Sequence, residues 1–290
     1  MTLVDHARLH LIVDRIERLV EPADGLADLV TTEYAKVRLS DVTLASATHE
    51  QLEQVLHEQR QRDLLVSHGF APLHRLLLTG PVGTGKSMTA SALATELSLP
   101  LVTIRINALI SKYTGETGAK LRVIFDAMAH PRTVNLFDDL DVIAERQTFW
   151  TDIVDGRRIL DMFLSFLDGT QPDSLVVAVA DHSTLLDDAL LSRFDAVIAN
   201  YLPDSAQALD LLRRRLDAMD TSAVSWDEIG DQVKGLSQAR LVRAAESAAK
   251  RAILSGSDSV STSALIMSLR ELRRIHHATG FSSGTWALFR

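Results

Sequence analysis

The chain has 290 residues, 46% hydrophobic and 23% charged, enough for one full core plus a small second domain and too apolar for a disordered polymer. A formal net charge of −8 disfavours a nucleic-acid binder, whose affinity rests on a basic face displacing counterions along the phosphates, and favours protein partners. The absence of cysteine excludes disulfides and thiolate metal sites and fits a reducing cytoplasm.

No apolar run is long enough to cross a bilayer, and the opening MTLVDHARLH lacks a signal-peptide layout, so the expectation is a cytoplasmic protein with no membrane partner. Leu9, Ile12, Val13, Ile16, Leu19 and Val20 recur at helical spacing and predict a helix over residues 1–20, broken by Pro22 and Gly25. His6 and His10 lie four apart on it, but no third ligand accompanies them, and they read as a solvated or packed pair. A second helix is expected from Thr48 to about Ser67, with Thr48 and Gln51 as a capping box, Leu52, Val55 and Leu56 as the apolar stripe, and Gly69 as the stop. These helices could dock on the core, contact a neighbouring subunit or receive a partner.

From Arg75 onward short apolar strands alternate with helices, the pattern of a parallel α/β sheet. Five strands are predicted, at Leu76–Thr79, Leu101–Ile106, Thr133–Phe137, Leu175–Val179 and Ala196–Tyr201, joined by helices near Lys86–Leu97, Gly118–Met128, Arg157–Leu167 and Leu185–Leu191. After Pro203 three helical segments, near Ala206–Met219, Ser237–Leu254 and Ser261–Ile275, predict a small all-helical lid. Within it Arg213, Arg214 and Arg215 read as a solvated helix face. The expected organisation is an N-terminal helical segment (1–70), an α/β nucleotide-binding subdomain (71–203), a helical lid (204–275) and a tail (276–290).

Gly80-Pro81-Val82-Gly83-Thr84-Gly85-Lys86-Ser87 matches G-x-x-x-x-G-K-[ST], with an apolar strand before it and a helix after it. Glycines let successive backbone N–H groups turn inward on phosphates, and the helix N-terminus adds its positive end. Pro81, Val82, Gly83, Thr84, Gly85, Lys86 and Ser87 are therefore the expected ATP-binding residues, Lys86 reaching the β- and γ-phosphates and Ser87 coordinating Mg²⁺. The strand 133–137 runs into Asp138 and Asp139, placing two carboxylates where open α/β sheets bind ligands. Asp138 is the expected outer partner of Mg²⁺, and Asp139 would polarise the attacking water.

Together these segments resemble the AAA ATPase family, specifically its protein-remodelling branch. Ser111-Lys112-Tyr113-Thr114-Gly115-Glu116 is similar to the S-K-[YW]-x-G-E segment of katanin- and spastin-like members. Gly156-Arg157-Arg158-Ile159 with Phe166-Leu167-Asp168-Gly169, Leu186-Asp187 through Phe194-Asp195, and Gly235 through Leu241 are similar to further family segments. The resemblance implies a P-loop fold with a helical lid, ATP and Mg²⁺ as cofactors, and a homo-oligomeric ring, by analogy a hexamer. It also implies a pore loop at Lys112 and Tyr113 gripping a protein substrate, and Arg193 reaching into the neighbour's ATP site to stabilise charge on the transferring phosphoryl group.

Three positions depart from the family pattern. Asp139 stands where Glu is usual, one methylene shorter. Asp181 stands at the sensor position where Asn is usual; an amide can donate to a phosphate, whereas a carboxylate only accepts and repels it. Asp181 could orient water, act through a bridging group, or mark a partial loss. Ser192 leaves one arginine finger where two are usual, as in the pachytene-checkpoint remodellers, whose resemblance points to a HORMA-domain substrate. Small bacterial relatives of that branch serve antiphage defence, and other compact members partner with proteases. An ATP-driven remodeller, a nucleotide-gated scaffold with weak hydrolysis and a DNA-directed loader are the readings in contention; the acidic charge disfavours the last.

Overall fold

A computed structural model of the chain describes residues 30–106, 124–125, 128, 132–142, 153–170, 173–181, 186 and 188–278. The helix expected over residues 1–20, the pore segment with Lys112 and Tyr113, Asp187 and the tail beyond Ala278 lie outside the described residues. Two compact units divide the chain, one taking in the residues up to Pro81 and Lys86–Asn200, the other Val82–Gly85 and the residues from Tyr201 onward.

The first unit is built on a six-stranded sheet of order β1-β3-β4-β5-β2-β6, comprising β1 (Val30–Glu33), β2 (Arg75–Thr79), β3 (Leu101–Arg105), β4 (Val134–Asp138), β5 (Leu175–Ala180) and β6 (Ala196–Ala199). The five expected strands pair in parallel. The sheet is larger than the five strands predicted, because β1 adds an antiparallel edge to β3 with Val30 opposite Ile104. Its sequence, Val-Thr-Thr-Glu, buries only Val30, so it offers no apolar pattern to read. Central β5, Leu-Val-Val-Ala-Val-Ala, is buried at every position, as a parallel strand covered on both faces must be.

Side-chain alternation splits the core in two. Leu77, Ile104, Phe137, Val176 and Ala178 face one layer with Phe125, Phe163 and Leu167. Leu76, Leu78, Leu101, Leu136, Val177 and Val179 face the other with Leu52, Leu56 and Leu93. Phe137 meets Phe163 edge-on at 5.0 Å between ring centroids, the geometry that aromatic quadrupoles favour.

The helix expected from Thr48 to Ser67 is two, α1 (Ser46–Arg60) and α2 (Arg62–Ser67), separated at Gln61. Thr48 is not a cap: it lies inside α1, and its hydroxyl donates to Ala199 O at 2.8 Å, tying α1 to the end of β6. Leu52, Val55 and Leu56 place α1 on the core, the first of the three roles the sequence leaves open. Gly69 does end α2, in the left-handed conformation at φ 81°, with Phe70 N–H returning to Leu65 O. The remaining helices of this unit include α3 (Lys86–Leu97), α4 (Ile153–Gly169) and α5 (Asp188–Leu191).

The second unit holds α6 (Ser205–Arg215), α7 (Trp226–Gln232), α8 (Gln238–Leu254) and α9 (Thr262–Ala278) around Leu212, Ile229, Leu241, Ala248 and Leu265. Among the described residues of this unit four helices stand where three were predicted, since seven-residue α7 buries only Ile229 and is too short to show a period. Asp204 and Gln207 cap α6 reciprocally at 2.8 and 3.1 Å. The arginine run on α6 is a surface face: Arg213 stacks over Trp226 at 4.7 Å, Arg214 pairs with Asp210 at 2.9 Å and Arg215 with Glu246. Among the described residues, no helix is long and apolar enough to cross a membrane.

Candidate functional site

Strand β2 carries three fully buried leucines into Thr79, so the chain leaves the sheet at Gly80 with its direction fixed by the core. Gly80 has φ 137°, and a Cβ built there would lie 2.0 Å from the carbonyl oxygen of Asn200, so no side chain fits. Asn200 is held in turn by its N–H to Thr79 O at 2.7 Å and its side-chain amide to Thr89 at 3.2 Å. Gly83, at φ 79°, carries no Cβ for a different reason: within the second unit it sits against Ser237 and Ala239. There Ala239 N–H donates to Gly83 O at 3.1 Å and Gln238 Nε2 to Thr84 O at 2.9 Å. Thr84 is buried, whereas Val82 is 71% exposed.

Helix α3 begins at Lys86, whose side chain is only 6% exposed. A buried ammonium must be satisfied, and Lys86 Nζ donates to Gly80 O at 2.6 Å, Pro81 O at 3.1 Å and Asp181 Oδ1 at 2.7 Å. The adjacent Ser87 hydroxyl donates to Asp138 Oδ2 at 3.1 Å. The sheet order explains the meeting: β4, β5 and β2 are neighbours, so Asp138 at the end of β4, Asp181 just past β5 and the loop after β2 emerge along one edge.

Asp139 follows in the left-handed region at φ 63°, a conformation that non-glycine residues adopt at a cost. Though the residue is exposed overall, partial burial of its carboxyl raises its pKa above the usual carboxylate value, and the charges of Asp138, Asp181 and Asp141 push the same way against Arg105. Asp141 Oδ2 accepts the Asp181 N–H, fixing the backbone that carries the sensor-position residue.

Arg193 lies just past α5, bonded to Ala189 O at 3.0 Å and paired with Asp168 at 3.5 Å. Two residues on, Asp195 accepts the backbone N–H groups of His74 and Arg75 at 3.0 and 2.9 Å and the Arg75 guanidinium at 2.6 Å. Burial alone would raise the Asp195 carboxyl, but the hydrogen bonds from His74 and Arg75 outweigh it and hold the group far below the carboxylate range.

The structure thus brings together Lys86, Ser87, Asp138, Asp139 and Asp181 of the residues singled out in the sequence, and sets Arg193 on a separate segment. Asp141, Arg105 and Asn200 also shape the site within this unit and were not singled out in the sequence. Only Asp141, in the run Asp138-Asp139-Leu140-Asp141, carried a visible signal; the others are brought in by topology.

The residues fit a magnesium nucleotide. The backbone at Gly80 approaches Asn200 more closely than a Cβ permits, and the buried Lys86 ammonium sits against three oxygen acceptors, the kind of contact phosphate oxygens would take. The Ser87 and Asp138 oxygens form the paired hard ligands Mg²⁺ prefers.

The family description "ATPase family associated with various cellular activities (AAA)" matches residues 76–202. The AAA family ATPase y4kL of Sinorhizobium fredii is 30% identical over 188 residues, 65% of this chain and 57% of that protein. The ATP-dependent zinc metalloprotease FtsH 3 of Sphaerobacter thermophilus is 30% identical over 243 residues, 81% of this chain and 50% of that protein. The crystal structure of the FIGL-1 AAA domain superposes with a TM-score of 0.69 at 22% identity, covering 91% of this chain and 88% of that one, which establishes the shared fold. The chain spans about half the length of the two curated relatives. Strand order, phosphate loop and family match agree: residues 76–202 form an AAA ATPase family domain.

Proposed function

We propose that the chain is an ATP-driven remodeller of another protein, acting as a homo-oligomeric ring in the cytoplasm. Lys86 and the backbone of Pro81–Gly85 hold ATP, and Ser87 and Asp138 hold Mg²⁺, which when bound screens phosphate charge during phosphoryl transfer. Asp139 orients and deprotonates the attacking water from the end of β4. Arg193 serves the neighbouring subunit's site, and Lys112 and Tyr113 grip the substrate polypeptide in the ring's channel.

The observation that carries this reading is the separation of the two halves of the catalytic set. The cradle around Lys86 gathers Ser87, Asp138, Asp139 and Asp181. Arg193, by contrast, is held against Ala189 and Asp168 on the segment after α5. A transition-state arginine supplied in trans couples hydrolysis to assembly. Candidate substrates are a HORMA-domain protein or a protein handed to a protease partner; the protease relative FtsH 3 supports the second.

A nucleotide-gated scaffold with weak hydrolysis is the second reading, favoured by the strained Asp139 backbone and by Asp181 at the sensor position. Phosphate release with and without an unfolded polypeptide, together with assembly mass in ATP, separates the two. A remodeller shows ATP-dependent oligomers and polypeptide-stimulated turnover, and Tyr113→Ala loses stimulation while keeping nucleotide binding. A scaffold shows turnover no faster than Lys86→Ala, with or without polypeptide.

A further inference from the structure

We propose that Asp181 is an internal competitor for the phosphate site, holding Lys86 until nucleotide displaces it and discriminating against the triphosphate relative to the diphosphate. The Lys86 ammonium is nearly inaccessible and fully engaged, and the only charged group among its three acceptors is the Asp181 carboxylate at 2.7 Å. Gly80 O and Pro81 O belong to the loop itself, so the acceptor contributed from outside it is Asp181. The carboxylate is held on target because its own backbone N–H is fixed by Asp141 at the end of a fully buried strand.

The electrostatic consequence follows from sign. A carboxylate has no proton to donate and cannot bond to a phosphate oxygen directly. Lys86 can therefore be shared with a phosphate only if Asp181 swings away or tolerates a like charge across a partly desolvated gap, where screening is weak. The terminal phosphate of ATP adds charge that ADP lacks, so the repulsion grows with the third phosphate. Asp181 at this position accordingly lowers affinity for nucleotide and lowers it more for ATP. The inference rests on Gly80–Ser87 as the nucleotide loop and is independent of remodelling, so a failure of polypeptide stimulation leaves it standing.

The test measures ATP and ADP dissociation constants, in Mg²⁺, for the wild type, Asp181→Asn and Asp181→Ala, each checked for an unchanged thermal midpoint. The Asn variant keeps the size of the side chain and gains a donor; the Ala variant removes the carboxylate and gains nothing. We expect both to bind ATP at least about tenfold more tightly, as loss of a close like charge implies, and both to gain less for ADP. Without nucleotide, acylation of Lys86 by an amine-reactive ester, read by peptide mass spectrometry, becomes faster in Asp181→Ala because the ammonium loses its carboxylate partner. Tightening in Asp181→Asn alone would mean that a donor was gained and no competitor removed, and would overturn the proposal. So would weaker ATP binding in both variants, equal gains for ATP and ADP, unchanged Lys86 labelling, or no nucleotide binding in any of the three proteins.

Discussion

Asp195 closes a carboxylate clamp on Arg75, accepting from its guanidinium at 2.6 Å and from its backbone N–H at 2.9 Å, and so fastens the segment that bears Arg193 to the first residue of the strand that feeds the phosphate loop. Removing the carboxylate leaves Arg75 and two backbone donors without their acceptor. Asp195→Ala is expected to cost about 3 kcal/mol, the usual range for breaking a partly buried charged network, seen as a lower Tm. The pH dependence follows from the depressed folded-state value. The stability Asp195 contributes is fully present above the ordinary carboxylate value of 3.8 and is lost as pH falls below it. Acid melting curves of wild type and Asp195→Ala should therefore converge below that value and separate above it.

Gly80 and Gly69 offer a matched comparison inside one unit. Both have positive φ, but a Cβ at Gly69 meets nothing within 4 Å, whereas one at Gly80 strikes Asn200 O. Gly69→Ala is expected to cost about 1 kcal/mol from backbone strain alone. Gly80→Ala adds a backbone collision and should cost about 3 kcal/mol or more, with loss of nucleotide binding. Equal melting shifts for the two variants would contradict the close approach at Gly80.

Asp139 combines a raised carboxyl value with a left-handed backbone. A group harder to ionise in the folded than in the unfolded state favours the fold below the ordinary value of 3.8, and that contribution is lost as pH rises through the raised value. Asp139→Asn removes the charge and keeps a side chain that tolerates positive φ. The variant should melt slightly higher than wild type at pH 7 while its kcat falls about a hundredfold, the usual contribution of a general base. Scanning calorimetry and phosphate release on the same preparation check both signs.

Arg193 in trans predicts complementation. Arg193→Ala should lower kcat by about a thousandfold, as loss of an arginine finger does. Lys86→Ala should be inactive for want of its own cradle. Mixed together, the two should regain measurable turnover, because a Lys86→Ala subunit still offers Arg193 to an intact neighbouring site. No recovery in co-assembled oligomers would place the arginine's action in its own chain.

What the sequence disclosed depended on whether a signal was local. The phosphate loop, the carboxylates ending β4 and all five parallel strands lie in short segments whose composition carries the message, such as Leu76-Leu77-Leu78 before Gly80. Strand β1 was hidden because a partly exposed edge shows one buried residue, and α7 because seven residues are too few for a helical period. Thr48 read as a helix cap from its offset to Gln51, yet its hydroxyl is spent on Ala199, 151 positions away. The contact between Asp181 and Lys86 was hidden for the same reason: the sequence showed an unusual acid at the sensor position, and only the adjacency of β5 and β2 shows which cation it meets.

Steady-state phosphate release from Mg-ATP, compared between wild type and Lys86→Ala at matched concentration and oligomeric state, bears most directly on the nucleotide site. The wild type should turn over ATP, and the variant, lacking the ammonium now held among Gly80, Pro81 and Asp181, should fall to the background of protein-free buffer. Equal rates for the two proteins above that background would mean that the chemistry does not pass through this loop.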